Sequence, residues 1–373
     1  MSASQPCAIV GGGLFALVAY ATLRRGGLEP AEIAVFGRDP DPAAAWRERA
    51  RSIRQRRMRS ESNGHCLPTT FPGLALRSAR RRRSPLPLLQ SVCDRYHPTV
   101  DEFLEHVAEV RERSGWDESF HRRRIEHVRA VDGGFELSSG EANGGAHPHV
   151  LVAPGHPGLN VPPELARDPR AVHAYRPHGY ADRVEVVGAG MAAATEWLNA
   201  LAAGASVVSV RRREPERRPL NLPRELFSRR GLAGFHRSGE DDRLRLLRAL
   251  GRPSYPVGRE WDEPLERATR EGRFRVAAEL DGADQVICAT GFRKGFQHDR
   301  LLARLVGDHG LAVAGDWIVL APDSTVPALT DAERTLSLAG APGQWAYPAA
   351  DTLAGARYAA HGFLRKVERW RTR

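Results

Sequence analysis

The chain has 373 residues, of which 42% are apolar, and carries a formal net charge of +10 at pH 7. This length suits roughly two domains of ordinary size, and the composition is that of a soluble globular protein, which excludes a disordered or fibrous chain. Because almost all of the positive charge is arginine, without interleaved aromatic residues, we expect a solvated basic surface and no nucleic-acid partner.

The four cysteines lie far apart and form no C-x-x-C motif. We therefore predict neither a metal site nor a dithiol redox site, and free thiols fit a reducing, cytoplasmic location. Cys7 and Cys288 fall in predicted strands, where each acts as a small apolar residue. The apolar run 7–23 lacks the cationic segment that precedes a signal sequence, so we expect no membrane segment.

A glycine-rich loop follows the first predicted strand and precedes a helical pattern. It has the form G-x-G-x-x-A, with Gly11, Gly13 and Ala16 at the small positions. The first glycine permits a tight turn, the second lets a pyrophosphate approach the backbone, and the alanine lets the helix pack close to the strand. A second strand is predicted at 33–36.

Residues 40–152 contain three segments with different sequence patterns. Residues 40–98 are rich in Arg, Pro and Ser and predict a loop-dominated stretch. Thr99 and Glu102 then fit a capping box, which predicts a helix with Phe103, Val107 and Val110 on its buried face. From 125 to 152, short alternating runs separated by glycines predict a small antiparallel meander.

A second G-x-G-x-x-A loop, with Gly188, Gly190 and Ala193, again lies between a predicted strand and a helix. Two such loops in one chain suggest two dinucleotides, a flavin and a nicotinamide nucleotide. The next predicted strand, 206–210, is followed directly by Arg211, Arg212 and Arg213. Arginines at this point suit a 2′-phosphate and favour NADPH over NADH, although the alternative is an ordinary cluster in an arginine-rich chain.

Further strands are predicted at 273–280, 286–292 and 336–340. A helix that starts near Asp351 carries Leu353, Ala356, Ala360 and Phe363 on one side. The predicted fold class is α/β, with two Rossmann-like dinucleotide-binding domains. We expect the second domain, 159–284, to be inserted between the two parts of the first, 1–158 and 285–373.

The order of these motifs resembles that of flavin-containing monooxygenases and the related N-hydroxylating and Baeyer–Villiger enzymes. The segment 289–292, A-T-G-F, is similar to the A-T-G-[YF] of that family, and 153–158 resembles its A-T-G-H-x-G, with Pro154 in place of Thr. The segment 172–175 lies where the family has its H-S-x-Y linker. Ser62 and Asn63, followed by Phe71 and Pro72, are spaced like a family T-N…F-P segment.

Two departures from the family pattern fall in the first domain. Gly37 stands where the family has a Glu that binds the adenosine ribose. Either Asp39 reaches the ribose hydroxyls from two residues later, or this contact is absent. The family's G-G-x-W is reduced to A-A-A-W, in which only Trp46 is kept.

The resemblance implies FAD at the first loop and NADPH at the second. It implies a monooxygenase that uses O2 to hydroxylate a small molecule through a C4a-peroxyflavin, with N-hydroxylation favoured. The alternatives are an NADPH–flavin oxidoreductase without oxygen insertion and a non-catalytic dinucleotide-binding protein with a decayed flavin site. No pattern sets an oligomeric state.

The residues that the resemblance implies fall into three groups. Asn63 is the candidate catalytic residue, with a turn before Gly64 as the alternative. Trp345 and Tyr347 either line the substrate pocket or pack in the core, and His173 and Tyr175 either line the interdomain crevice or form a structural linker. The expected cofactor contacts are Gly11, Gly13, Ala16, Asp39, Trp46, Gly155, Gly291 and Gly340 for FAD, and Gly188, Gly190, Ala193, Arg211, Arg212 and Arg213 for NADPH.

Overall fold

The computed structural model describes residues 5–58, 73–92, 96–140, 142–218 and 222–373. The strands are β1 Cys7–Val10, β2 Ile33–Gly37, β3 Phe120–Arg122, β4 His127–Val131, β5 Gly134–Ser139, β6 Ala142–His147, β7 His149–Val152, β8 Ala171–His173, β9 Arg183–Val187, β10 Ser206–Val210, β11 Glu216–Arg217, β12 Ser254–Tyr255, β13 Phe274–Ala277, β14 Gln285–Cys288, β15 Val313–Ala314, β16 Trp317–Ile318 and β17 Thr335–Leu338. The helices are α1 Leu14–Arg25, α2 Ala44–Ser52, α3 Leu74–Arg82, α4 Leu86–Val92, α5 Val100–Ser114, α6 Trp116–Ser119, α7 Met191–Ala202, α8 Arg229–Arg237, α9 Glu240–Leu250, α10 Arg259–Arg270, α11 Arg300–His309 and α12 Leu353–Arg371.

The first glycine loop belongs to a parallel sheet with the strand order β17-β7-β1-β2-β3. Its central strand β1 is buried on both faces, because Cys7 and Ile9 face one core while Ala8 and Val10 face the other. Helices α1, α5 and α12 cover the first face. The antiparallel meander β4–β6 covers the second face together with α8, α9 and α11.

The second glycine loop belongs to a separate parallel sheet with the order β13-β10-β9-β14-β8. Its core is built around Trp197 of α7, which is fully buried and packs against Tyr255 and Phe274. All five strands of this sheet come between β7 and β17 in the chain. This arrangement confirms the predicted fold class, two Rossmann-like units with the second inserted into the first.

The domain limits stay a proposal, with two refinements. Strand β14 pairs with β9 and β8, so we place the end of the second unit after Cys288 rather than at 284. Helices α8 and α9 lie within 159–284 but pack against the first unit, where Phe235 and Leu247 join the core that contains Leu301 and Trp345.

The local predictions have mixed outcomes. The capping box is confirmed, because Thr99 Oγ1 accepts a hydrogen bond from the Glu102 amide (3.1 Å) and Glu102 Oε2 accepts one from the Thr99 amide (2.9 Å). The strand at 206–210 is confirmed as β10. The prediction of a loop-dominated segment at 40–98 is wrong for its described part, which contains α2, α3 and α4. Arginine is a good helix former, and the buried side of α3 consists mainly of alanine, serine and leucine, so it gave little apolar signal.

The helices and the cysteines were also the subject of predictions from the sequence, that no segment spans a membrane and that two thiols are buried. Within the described residues, every helix is too short or too polar to span a bilayer. Cys7 and Cys288 are buried as predicted, and burial raises the pKa of both thiols. Cys66 and Cys93 lie outside the described residues.

Candidate dinucleotide-binding site

The two glycine loops repeat the same backbone geometry. Gly11 and Gly188 have φ angles of +133° and +132°, which side-chain-bearing residues rarely adopt. A Cβ at Gly188 would lie 2.5 Å from the carbonyl oxygen of Ala289, and one at Gly11 would collide with the carbonyl oxygen of Ala153. Each loop therefore presses against the strand beside it, and only glycine fits at the point of contact.

The other glycine of each loop faces open space. Gly13 and Gly190 are the N-caps of α1 and α7, and a Cβ on either would meet no atom within 4 Å. The free N–H groups at such a helix start carry a partial positive charge and suit a phosphate. Behind the loops, Ala16 and Ala193 are fully buried and let each helix pack close to its sheet.

The first loop opens into a cavity of about 980 Å³. Its lining includes five of the residues predicted from the sequence to contact FAD: Gly11, Gly13, Asp39, Trp46 and Gly155. Two others, Gly291 and Gly340, do not line the cavity but are next to residues that do, Phe292 and Phe15. The carbonyl of Gly291 is bonded to His173 Nε2 (3.1 Å), and a Cβ at Gly340 would lie 2.7 Å from the ring of Phe15, which lines the cavity. The catalytic candidate Asn63 lies outside the described residues.

At the far end of β2, a close contact between two backbone segments fixes the identity of residue 37. A Cβ at Gly37 would lie 2.6 Å from the Cα of Gly12 and 3.0 Å from the ring of Phe120. A carboxylate therefore cannot occupy this position while the loop keeps its place. Arg38 and Asp39 line the cavity directly beyond it, and Asp39 Oδ1 accepts a hydrogen bond from the amide of Asp41 (2.9 Å).

The wall between the two sheets is an aromatic stack. The His156 and Phe292 rings lie 4.1 Å apart at 6°, and the Tyr175 and Phe292 rings lie 5.0 Å apart at 11°. The guanidinium of Arg49 lies 4.7 Å from the centre of the Phe292 ring. Burial, reinforced by the charge of Arg49, lowers the pKa of His156 to about 4, so its ring is neutral at pH 7.

The cavity also contains an acid that the sequence did not single out. Asp351 precedes Thr352, the N-cap of α12, and both residues line the cavity. Its Oδ1 is buried and has no hydrogen-bond partner among the described residues. Burial raises the pKa of this carboxyl, although a backbone hydrogen bond and the charge of Lys294 oppose the shift. Neither Arg49 nor Asp351 belongs to a recognisable motif, so no sequence signal marked them.

The arginines after β10 are divided between two environments. Arg211 is turned inward, where its guanidinium lies 5.4 Å from the Trp197 ring centre and 2.9 Å from Glu214. It lines a separate cavity of about 690 Å³ beside α10. Arg212 and Arg213 are exposed at the end of the strand.

Structural comparison identifies proteins of the same architecture. Ornithine N-hydroxylase KtzI from Kutzneria sp. 744, in its form with FADred, NADP+ and L-orn, matches with a TM-score of 0.73 and 14% identity over 100% of both chains. The cadaverine monooxygenase DfoA from Erwinia amylovora, bound to FAD, matches with a TM-score of 0.72 and 14% identity over 98% of this chain and 94% of that one. Ornithine hydroxylase PvdA from Pseudomonas aeruginosa matches with a TM-score of 0.70 and 15% identity over 97% of this chain and 99% of that one.

The chain has the fold of these monooxygenases. The likeness extends over nearly the whole chain, so it includes both sheets. No protein-family model matches the sequence, and no curated protein matches it.

Within this fold, the two aromatic candidates near the C-terminal helix are structural. Trp345 is buried in the core beneath the first sheet, and Tyr347 is buried against Tyr358, with the two rings 4.5 Å apart. Neither residue lines the large cavity. Of the linker candidates, Tyr175 lines the cavity, whereas His173 is buried and holds the Gly291 carbonyl.

Proposed function

We propose that this chain is an FAD-dependent, NADPH-using monooxygenase that hydroxylates a nitrogen of a small amine with O2. The observation that carries the proposal is the repeated loop geometry. Each of the two glycine turns presses against a neighbouring strand and is followed by a helix start that faces open space. These helix starts are at Gly13 in the first unit and at Gly190 in the second. Two phosphate-binding helix starts in one chain suit two dinucleotides.

The residues of the first cleft fit FAD. The open space before Gly13 suits the pyrophosphate, and the cavity of about 980 Å³ runs from there past Trp46 to the aromatic stack. When bound, the flavin supplies hydride acceptance and activation of oxygen. The chain's own residues provide placement: α1 binds the phosphates, Asp39 is the carboxylate nearest to the ribose end, and the stacked rings of His156 and Phe292 exclude water.

The second cleft fits a nicotinamide nucleotide. Gly188, Gly190 and Ala193 form its phosphate-binding loop, and the exposed Arg212 and Arg213 are the candidates for a 2′-phosphate. Arg211 instead contacts Trp197 and Glu214. This division of roles favours NADPH over NADH.

The substrate class is inferred from the similar structures, whose names include ornithine and cadaverine. We propose a small molecule with a primary amine for this chain as well, and Asn63 remains the candidate for contacting the reacting groups. The buried thiols of Cys7 and Cys288 agree with the cytoplasmic location that we propose.

The proposal is tested by an anaerobic titration of the FAD-supplemented protein with NADPH, followed through the visible flavin bands. We expect bleaching by NADPH, much weaker bleaching by NADH, and amine-dependent hydroxylation when air is admitted. Peroxide formation equal to NADPH consumption with every amine would instead indicate an oxidoreductase without oxygen insertion. A colourless protein that takes up no FAD would indicate a decayed site.

The variant Gly13→Asp separates binding from folding. Its side chain enters open space, and Asp is a favourable N-cap for α1, so the thermal unfolding midpoint should not fall. The carboxylate occupies the pyrophosphate position and repels it, so FAD retention should be lost. A yellow Gly13→Asp protein would show that FAD does not bind at this loop.

A further inference from the structure

One cation of the large cavity differs from the others in its surroundings. Among the described residues, five arginines line the cavity, and four of them are exposed to solvent: Arg38, Arg124, Arg176 and Arg300. The fifth, Arg49, is partly buried beneath the aromatic stack. Burial lowers its pKa from the usual value, which reflects the loss of water around the guanidinium.

No carboxylate of the described residues lies within ion-pair distance of Arg49. The contrast with its neighbour is direct, because Arg47 on the same helix binds Asp41 at 2.6 Å. Removing a charge from water is unfavourable unless a partner compensates for it. His156, whose pKa is lowered by burial and by the charge of Arg49, carries no negative charge that could compensate for it.

The geometry of Arg49 leaves its hydrogen-bonding edge available. The guanidinium carbon lies over the Phe292 ring, 4.7 Å from the ring centre. A ring contact of this kind uses no N–H group, and the planar guanidinium can donate two parallel hydrogen bonds to a pair of anionic oxygens. Lysine has no equivalent arrangement.

We propose that Arg49 binds an anionic oxygen pair of a ligand in this cavity, either the α-carboxylate of an amino-acid substrate or a phosphate of the nicotinamide nucleotide. The proposal rests on the proposed function, because it specifies the ligand chemistry of the same cavity. It makes Arg49 a specificity residue: with a carboxylate as its partner, the enzyme prefers an amino acid to the diamine that lacks the carboxylate.

The test is isothermal titration of the FAD-loaded protein with matched probes. L-Ornithine and 1,4-diaminobutane differ only in the α-carboxylate, as do L-lysine and 1,5-diaminopentane, and NADP+ probes the phosphate. The variants are Arg49→Gln and Arg49→Lys, with Arg51→Gln as the control because Arg51 is exposed on the same helix. FAD content and the thermal midpoint are measured for each variant, so a folding defect is recognised.

We expect Arg49→Gln to bind one of the two anionic ligands about tenfold to a hundredfold more weakly. Arg49→Lys should recover only part of this loss, and Arg51→Gln should match the wild type. A loss confined to the amino acids assigns the carboxylate, and a loss confined to NADP+ assigns the phosphate. Unchanged affinity for both classes, or an equal loss for amino acids and diamines, would overturn the proposal.

These results remain separate from the test of the proposed function. If the wild-type protein takes up FAD and NADPH bleaches it, but Arg49→Gln binds every probe normally, only the role of Arg49 fails. If the wild type takes up no FAD, the monooxygenase proposal fails, while titration of the FAD-free protein and its Arg49→Gln variant with NADP+ and with the amino acids still decides whether Arg49 binds an anion.

Discussion

Gly12 and Gly37 show how a backbone contact determines what the adenosine end of the first cleft can contain. Any side chain at residue 37 would meet the Cα of Gly12 at 2.6 Å, and any side chain at residue 12 would meet the Cα of Gly37 at 3.0 Å. The two glycines therefore depend on each other. The absence of a ribose-binding carboxylate at residue 37 is thus part of the packing of this loop and not only the loss of one functional group.

This mutual dependence predicts that Gly37→Ala destabilises the protein. The added methyl group has backbone on one side and the Phe120 ring on the other, so relaxation must move the loop, at a cost of about 1–3 kcal/mol. Urea unfolding at pH 7 measures the loss. The control is Gly179→Ala, an exposed position outside helices and strands whose Cβ would enter open space without a left-handed φ, and which should change stability by less than about 0.5 kcal/mol. Equal stability of the two variants would contradict this account.

At the level of single residues, the sequence predicted those site residues that belong to a recurring motif. The glycine loops were recognisable because strand, turn and helix each constrain neighbouring positions, and the structure brings Gly11, Gly13 and Asp39 to one cavity. Arg49 and Asp351 were not predicted, because their burial results from chain segments that meet only in the folded state. Asn63 lies outside the described residues and remains a prediction.

The start of α5 provides a prediction at the level of one element. Thr99 and Glu102 bond to each other's amides, and Glu102 also accepts a hydrogen bond from the Tyr96 hydroxyl (3.0 Å). Thr99→Ala removes the cap and should cost about 1 kcal/mol in the free energy of unfolding, whereas Thr99→Ser should keep most of it. Chemical denaturation of the two variants measures this difference. Equal losses in Ala and Ser would show that the hydroxyl contributes nothing.

The same helix shows why some elements were predictable and others were not. Helix α5 has a side-chain cap and large apolar residues on one face, which are visible in sequence. Helix α3 has no side-chain cap and buries only the small or short side chains of Leu74, Ala75, Ser78 and Ala79. Helix α4 has no strong apolar face, because Leu86 and Leu89 are exposed. Their place in the molecule depends on tertiary packing, which local composition does not encode.

At the level of the whole molecule, two chain crossings join the sheets. The outgoing and returning linkers run side by side, with Leu159 paired to Phe292 and the amide of Arg293 bonded to the carbonyl of Gly158 (3.0 Å). The α7 side chain of Asn199 adds a direct bond to the carbonyl of Ile53 in the first unit (2.8 Å). Apolar packing adds to these polar contacts, because Ile53 belongs to the core around Trp197. The spacing of motifs could not predict either kind of contact.

A buried acid–base cluster strengthens this connection. Glu196 of α7 is fully buried and accepts hydrogen bonds from the Tyr180 hydroxyl (2.8 Å) and from His178 Nε2 (3.1 Å). Arg54, from the first unit, lies over the Tyr180 ring at 4.7 Å. The other ring nitrogen of His178 faces the carbonyl of Arg176 at 2.7 Å, so both nitrogens face acceptors, which favours the doubly protonated ring.

Protonation of His178 should make the stability of the whole molecule depend on pH. Burial alone would lower its pKa, but the hydrogen bonds to Glu196 and Arg176 and the charge of Glu196 together raise it above the usual 6.5. A histidine whose pKa is raised by folding stabilises the native state fully below pH 6.5, and this contribution disappears as the pH rises through the folded pKa. The stability advantage of the wild type over His178→Gln should therefore be largest in mildly acidic buffer and shrink towards alkaline pH. Denaturant unfolding at a series of pH values measures this stability difference, and His298→Gln, at an exposed histidine, is the control. A difference between wild type and His178→Gln that stays constant across the series would mean that the cluster does not hold a charged histidine.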